Sequence, residues 1–201
     1  MKMFGLEGNI GSGKTRLGRR LALTGELDFL EEPVEQLRDS KLLPDYYADP
    51  GRWAFTVQVV FFNSRAKTWD EILALTDHSK ILMERSVYSD KWVFARLLHE
   101  LGHMNDAEFQ GYNDMWDFVA GKWAVKPETI FYLRTPAEEC LARIAKRGRS
   151  EERGIDKSFL EHLQRLHDEW LLAADNVVLL NGLLTTDELV KEVLSVIGGS
   201  A

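Results

Sequence analysis

Residues 8 to 15 read GNIGSGKT, which fits the pattern G-x-x-x-x-G-K-[ST]: Gly8, Gly13, Lys14 and Thr15 fill the fixed positions, with Asn9, Ile10, Gly11 and Ser12 between them. The chemistry open to such a segment is phosphate binding. Glycines let successive backbone N–H groups turn inward around phosphate oxygens, and a helix that follows adds the positive potential of its N-terminus. Lysine at position 14 would reach the β- and γ-phosphates and the hydroxyl at position 15 would ligate Mg2+, so ATP or GTP is the implied ligand. A second segment, HELGH at 99–103, fits HExxH, in which two histidines one helical turn apart hold zinc. Here the apolar helical stripe of KWVFARLLHELGHMND ends near Gly102, a residue favoured just past a helix C-terminus, and Asn105 with Glu108 has the form of a cap for the next helix. A helix that stops there separates His99 from His103, and zinc is not expected. The third segment is RIAKRGRSEER at 143–153. It carries five basic residues (Arg143, Lys146, Arg147, Arg149, Arg153) against Glu151 and Glu152, inside a chain of net charge -7. Such a patch suits a small, highly charged anion, whereas the acidic remainder argues against a nucleic-acid polymer as partner.

These segments need elements to position them. Short β-rich runs recur between stretches of helical period: KMFGLE (2–7), FLEEP (29–33), KILMERS (80–86), TIFYLR (129–134) and NVVLL (176–180). Five strands alternating with helices predict an α/β fold with a parallel sheet, and the glycine segment then sits between the first strand and the helix-compatible run RLGRRLAL. Apolar residues at i, i+4 and i+7 (Phe55, Val59, Phe62) mark one helix, and Phe159, Leu163, Leu166 and Trp170 mark another. Thr185 and Glu188 have capping-box spacing at the start of the last helix. At 201 residues, 45% of them hydrophobic, the chain suits a single domain over 1–201. The longest apolar runs are far short of the roughly 20 residues that span a bilayer, so no membrane is expected. Nor does the first strand leave room for a targeting peptide, so a cytoplasmic location is expected. Cys140, the only cysteine, lies in a helical stretch where a small apolar residue would serve as well.

Taken in order, GNIGSGKT, EEPVEQL (31–37), YADPGRWAFTVQ (47–58), ERSVYSD (84–90) and RIAKRGRSEE (143–152) resemble the deoxynucleoside kinases of the deoxycytidine and deoxyguanosine kinase type. The resemblance implies a P-loop kinase fold, with a five-stranded parallel sheet flanked by helices and an arginine-rich lid at about 143–153. It also implies phosphoryl transfer from a nucleoside triphosphate to the 5'-hydroxyl of a deoxynucleoside, usually by a homodimer. A sugar hydroxyl is a poor nucleophile, and the family's general base corresponds to Glu32, with Glu31 and Glu35 as competing carboxylates. A carboxylate at the C-terminal end of a parallel strand lies where such sheets bind ligands. By the same resemblance Glu84 helps hold Mg2+ and Arg85 orients Glu32 and the 5'-oxygen. Arg143, Arg147 and Arg149 match the lid arginines that close over the moving phosphoryl group. Glu152 with Tyr47 would grip the 3'-hydroxyl. Gln58 and Arg65, seven residues apart on one helical face, would meet the base together with Asp90. Leu37 stands where relatives often carry tryptophan, which widens or relines the pocket and gives a lean to purines.

Two rivals make different demands. A non-catalytic protein of the same fold could dispense with Lys14, Glu32, Glu84 or the lid arginines, and all are present. A nucleoside monophosphate kinase needs additional basic residues for the acceptor phosphate, whereas Tyr47, Glu32 and Glu152 suit an uncharged sugar.

Overall fold

The computed structural model describes residues 2–32, 41–73, 80–123 and 126–199. Five strands, β1 (Lys2–Glu7), β2 (Asp28–Leu30), β3 (Lys80–Glu84), β4 (Thr129–Arg134) and β5 (Val177–Asn181), form one sheet in the order β2-β3-β1-β4-β5. Every pairing is parallel, as the sequence predicts, with Phe4 opposite Leu82 on one side of β1 and opposite Thr129 on the other. The strand order reverses about β1, which opens a crevice outside the carboxyl ends of β1 and β3.

Both faces of the sheet are covered. Alternation along the strands sends Met3, Ile81 and Met83 to one face and Phe4, Leu6, Leu82 and Leu133 to the other. The first face packs against α3 (Pro50–Leu73), an interrupted helix α4 (87–100) and α5 (Asp106–Trp123). The second packs against α1 (Lys14–Ala22) and α8 (Thr186–Gly199). A third apolar cluster joins α4 to α6 (Ala137–Arg147) and α7 (Lys157–Leu171) through Val93, Leu97, Cys140, Ile144, Leu160, Leu163 and Leu166. Cys140 is an ordinary core residue there, its thiol pushed up to about 11 by burial.

Several expectations are corrected in detail. The run FLEEP forms strand only to Leu30, so Glu31 and Glu32 lie beyond the end of β2, and Pro33 falls outside the described residues. In α3, a helix as predicted, the fully buried positions are Ala54, Val57, Gln58, Phe62 and Arg65, with Phe55 and Val59 half-buried; Gln58 and Arg65 are buried because they bond to Asp90, Tyr112 and Glu32 on other elements. In α7 the buried line is Leu160, Leu163, Leu166, His167 and Leu171, with Phe159 and Trp170 only half-buried. Helix α2 (Leu42–Ala48), which carries Tyr46 and Tyr47, has no periodic signal in the sequence. Helix α4 is not uniform either: an α-turn at Val87–Ser89 gives way to a π-helical stretch at Asp90–Ala95 before α-helix resumes at Arg96–Glu100. Such insertions are rare and collect at functional sites.

The HELGH segment straddles the end of α4. Gly102 takes a left-handed φ of 71°, and the His103 N–H turns back to donate to the Leu98 carbonyl at 2.8 Å. His99 stacks on Phe109 at 4.3 Å and bonds to Asp106. The Asn105 and Glu108 side chains cap α5 reciprocally, each at 2.9 Å from the other's backbone N–H. Thr185 and Glu188 do the same for α8.

Candidate active site

A cleft of about 1010 Å³ runs across the carboxyl end of the sheet and is lined by the glycine loop, the ends of β2 and β3, α2, α3 and the segment after α6. The loop begins where β1 stops. Gly8 has φ 148°, and a Cβ there would lie 2.6 Å from the Leu133 carbonyl oxygen, so the close pass over β4 requires glycine. Side chains then tie the loop down. Asn9 Nδ2 donates to the Leu160 carbonyl at 2.8 Å, and Asn9 Oδ1 accepts from the Ile10 N–H. Thr135 Oγ1 and Arg143 Nη1 both donate to the Ser12 carbonyl, at 3.2 and 2.6 Å. Lys14 Nζ sits inside the loop, donating to the carbonyls of Gly8 at 3.0 Å and Asn9 at 2.8 Å. Burial, with the Arg85 charge behind it, pushes the Lys14 ammonium down to about 8.

Next to the lysine, Thr15 Oγ1 lies 2.9 Å from both carboxylate oxygens of Glu84. A hydroxyl and a carboxylate side by side at the mouth of a phosphate loop are the hard oxygen ligands that Mg2+ takes when it also holds substrate phosphates. Burial raises the Glu84 pKa, against the pull of Lys14.

Across the cleft from the loop, a buried polar cluster is assembled from distant segments. Glu32, just past β2, receives Arg85 Nε from the end of β3 at 3.0 Å and Arg65 Nη2 from α3. Arg65 Nη1 also donates to Asp90 Oδ1 from the π-helical stretch. Gln58 Nε2 reaches the Asp90 backbone oxygen at 3.2 Å, its Oδ1 at 3.3 Å and the Tyr112 hydroxyl at 3.4 Å. Burial alone would raise the Glu32 pKa, but Arg85, Arg65 and Lys14 together hold it below the usual carboxylate range. Asp90 is pushed up to about 6 by burial, opposed by Arg65. The rival carboxylate Glu31 is spent elsewhere, in a bidentate pair with Arg19 at 2.6 and 2.7 Å. Glu35 and Leu37 lie outside the described residues.

Over the other rim, Glu152 accepts from Arg147 Nη2 at 2.6 Å and from Arg149 Nη1 at 3.5 Å, and Tyr47 lines the same cleft. The expected lid at 143–153 divides into three parts: the last turns of α6, Gly148 in left-handed conformation, and a 3-10 turn at Ser150–Gly154. Arg143 belongs to the helix. Its guanidinium is fastened to the glycine loop at Ser12 and to the Gly182 carbonyl at 2.9 Å, so it is part of the loop's frame. Lys146 and Arg153 are exposed, as solvated charges.

Sequence reasoning missed several residues. Phe61 and Phe94 line the cleft, with Arg65 and Arg85 stacked over their rings at 5.0 and 4.5 Å. Tyr112 is fully buried and edge-on to Phe62 at 5.9 Å. Glu7, at the end of β1, is buried completely and accepts from Ser86 Oγ at 2.8 Å, with burial pushing its carboxyl up to about 7. His167 is buried against Tyr132 and held down to about 3 by burial, its Nδ1 donating to the Leu163 carbonyl. The only signal for Glu7 was an acid at the end of an otherwise apolar strand; nothing marked Tyr112 or His167 out from ordinary amphipathic helix residues.

Comparison with known proteins shows the family to which the chain belongs. The sequence model of the family described as deoxynucleoside kinase matches residues 4–193. A probable deoxycytidine kinase of fowlpox virus is 37% identical over 170 residues, covering 85% of this chain and 72% of its own. Deoxycytidine kinase 2 of Gallus gallus is 33% identical over 196 residues, covering 85% of this chain and 74% of its own. A mitochondrial deoxyguanosine kinase of Xenopus laevis is 32% identical over 195 residues, covering 85% and 73%. With a parallel five-stranded sheet, a phosphate loop after its central strand and a family match across nearly its whole length, the chain belongs to the deoxynucleoside kinase family.

Proposed function

We propose that the protein, as one domain over residues 1–201, transfers the γ-phosphoryl group of ATP or GTP to the 5'-hydroxyl of a deoxynucleoside. The observation that carries this reading is Glu32, a carboxylate gripped by two arginines in the cleft that also holds Lys14. In the transfer, the 5'-oxygen forms a bond to the γ-phosphorus while the bond to the bridging oxygen breaks and leaves its electrons on the β-phosphate. Glu32 accepts the hydroxyl proton. Its depressed pKa keeps it ionised at neutral pH and makes it a weak base, which suits a loose transition state with little bond formation to the nucleophile.

Other groups bind and orient. The backbone of Gly8–Thr15 cradles the phosphates, and Lys14 exchanges its bonds to the Gly8 and Asn9 carbonyls for phosphate oxygens. Thr15 and Glu84 would hold Mg2+, which supplies charge neutralisation at the phosphates. Arg147 and Arg149 leave Glu152 to reach the phosphoryl group, with Arg143 setting the loop they close on. Glu152 and Tyr47 then take the 3'-hydroxyl. At the base, Gln58 Nε2 is committed to Asp90, so its carbonyl oxygen, Arg65 and Asp90 are the reading groups. The Arg65–Asp90 pair, together with Leu37, favours a purine base.

The assay is to incubate the protein with Mg-ATP or Mg-GTP and each deoxynucleoside or deoxynucleoside monophosphate, then separate the products. Expected are deoxynucleoside monophosphates only; turnover of monophosphates alone, or of nothing, overturns the reading. A competition among the four deoxynucleosides in which pyrimidines dominate overturns the purine preference. A homodimer completes the proposal, supported by the family resemblance and by exposed apolar side chains such as Phe118 on α5, 62% exposed. No helix among the described residues is long and apolar enough to cross a membrane.

A further inference from the structure

Glu7 has no part in the steps above, yet it is a carboxylate buried completely at the point where β1 runs into the phosphate loop. Two adjacent residues of β1 grip two adjacent residues after β3. The Leu6 carbonyl accepts the Arg85 N–H at 3.1 Å, and Glu7 Oε1 accepts Ser86 Oγ at 2.8 Å. Between these two bonds Arg85 has φ 62°, a left-handed conformation that a residue with a side chain keeps only where its surroundings hold it. Ser86 is also the cap of the short turn leading to Asp90, its N–H donating to Ser89 Oγ at 3.3 Å. The left-handed backbone is what sends the Arg85 guanidinium to Glu32, at 3.0 Å, and over the Phe94 ring. Glu7 Oε2 and Arg85 Nη1 are both buried with no hydrogen-bond partner among the described residues, so the bond to Ser86 is the side-chain hydrogen bond that fixes this carboxylate there, beside the attraction of the Arg85 charge.

We propose that Glu7 is a positioning residue for phosphoryl transfer: through Ser86 it holds Arg85 in its left-handed conformation, and so keeps the Glu32 carboxylate in register with the phosphate loop. The proposal rests on the kinase reading given above. Because Leu6 and Glu7 belong to the strand that becomes the loop, the donor and acceptor halves of the site share one rigid reference. Misplacing a reacting group by an ångström costs on the order of a hundredfold in rate, so loss of the latch acts on kcat and leaves nucleotide binding to the loop intact.

The test compares Glu7→Leu, which removes the acceptor, Ser86→Ala, which removes the donor, and Glu7→Gln, which keeps an acceptor oxygen for the serine. For each variant, kcat, the KM for deoxynucleoside, the Kd for a non-hydrolysable ATP analogue and the melting temperature are measured. Glu7→Leu and Ser86→Ala should each lower kcat by about tenfold or more with the analogue Kd unchanged to about twofold. The double variant should be no worse than the more damaged single variant, since both break one contact. Glu7→Gln should recover most of the rate. Folded Ser86→Ala protein with kcat within about twofold of the parent overturns the proposal even if Glu7→Leu fails to fold, as do additive effects or parallel loss of nucleotide affinity. Absence of deoxynucleoside turnover in the parent protein overturns the kinase reading, and this proposal with it; normal parent turnover with unaffected variants overturns this proposal alone.

Discussion

The two halves of the cleft are built on different plans. On the proposed reading the donor half is contiguous: residues 8–15 would supply the phosphate cradle from one loop, and the side chains that steady it, Asn9, Thr135 and Arg143, bond to main-chain atoms. The acceptor half is assembled from side chains alone, with Glu32, Arg65, Arg85, Asp90 and Gln58 arriving from four separate segments and bonding chiefly to one another. A backbone cradle is set by local conformation, as at Gly8, and does not depend on a buried network of side-chain charges. Such a network does not tolerate substitution, since removing one member leaves the others unpaired in a low-dielectric setting.

That contrast can be broken most directly at Glu32. Glu32→Gln should lower kcat by about a thousandfold while the affinity for a non-hydrolysable ATP analogue stays unchanged, because the base is lost and the cradle is not. Near-normal turnover would remove Glu32 from its role and with it the chemical division between the halves. Arg65→Met tests the cost of assembly. It leaves Asp90 buried without a cation and Glu32 with Arg85 alone, and denaturant unfolding should show about 3–5 kcal/mol of lost stability. A loss below about 1 kcal/mol would mean that the cluster is exposed enough for water to replace the arginine.

On the donor side the sensitive quantity is protonation. The Lys14 pKa of about 8 means that the ammonium needed for phosphate binding is lost as pH rises through that value. Nucleotide affinity, measured by calorimetry, should therefore be flat below pH 7.5 and fall about tenfold per unit above pH 8.5. A flat profile to pH 10 would show that Lys14 keeps its proton and that burial does not set its charge. The last response is one of stability, at His167, which is buried on α7 against Phe94 and Tyr132 and does not line the cleft. Its folded pKa, about 3, lies below the unfolded value near 6.5, so the unfolded chain binds the proton first and stability is lost as pH falls between those limits. Measured against His167→Gln, the parent should lose up to about 1.4 kcal/mol per pH unit across that window. An equal acid response in both proteins would place the titration elsewhere.

Legibility followed the same divide. The phosphate loop could be read because its chemistry depends on four fixed positions within eight consecutive residues, and the parallel sheet because strand-forming runs alternate with helical periods. Of the acceptor side, the resemblance named Glu32 and its partners, but the chain offers Glu31, Glu32 and Glu35 within five positions. What separates the first two is reach: Glu31 turns to Arg19 at the surface while Glu32 turns to Arg65 and Arg85 in the cleft. On α3 the apolar period marks the helix, but it does not show that Gln58 and Arg65 are fully buried, since both count as polar in any periodicity yet are buried by contacts with residues 25 to 54 positions away.

The sequence by itself therefore determined the α/β order of elements, the phosphate loop and the family to which they belong. These depend on local patterns, on backbone freedom at glycine and on short-range caps such as Thr185 with Glu188. Only the tertiary structure decided which carboxylate is gripped by arginines, that Arg143 frames the loop, and that a π-helical stretch delivers Asp90 to Arg65. It also set Glu7 behind Arg85. Each of these depends on distances between segments far apart in the chain, and such distances are fixed by how the apolar faces of the sheet and helices pack.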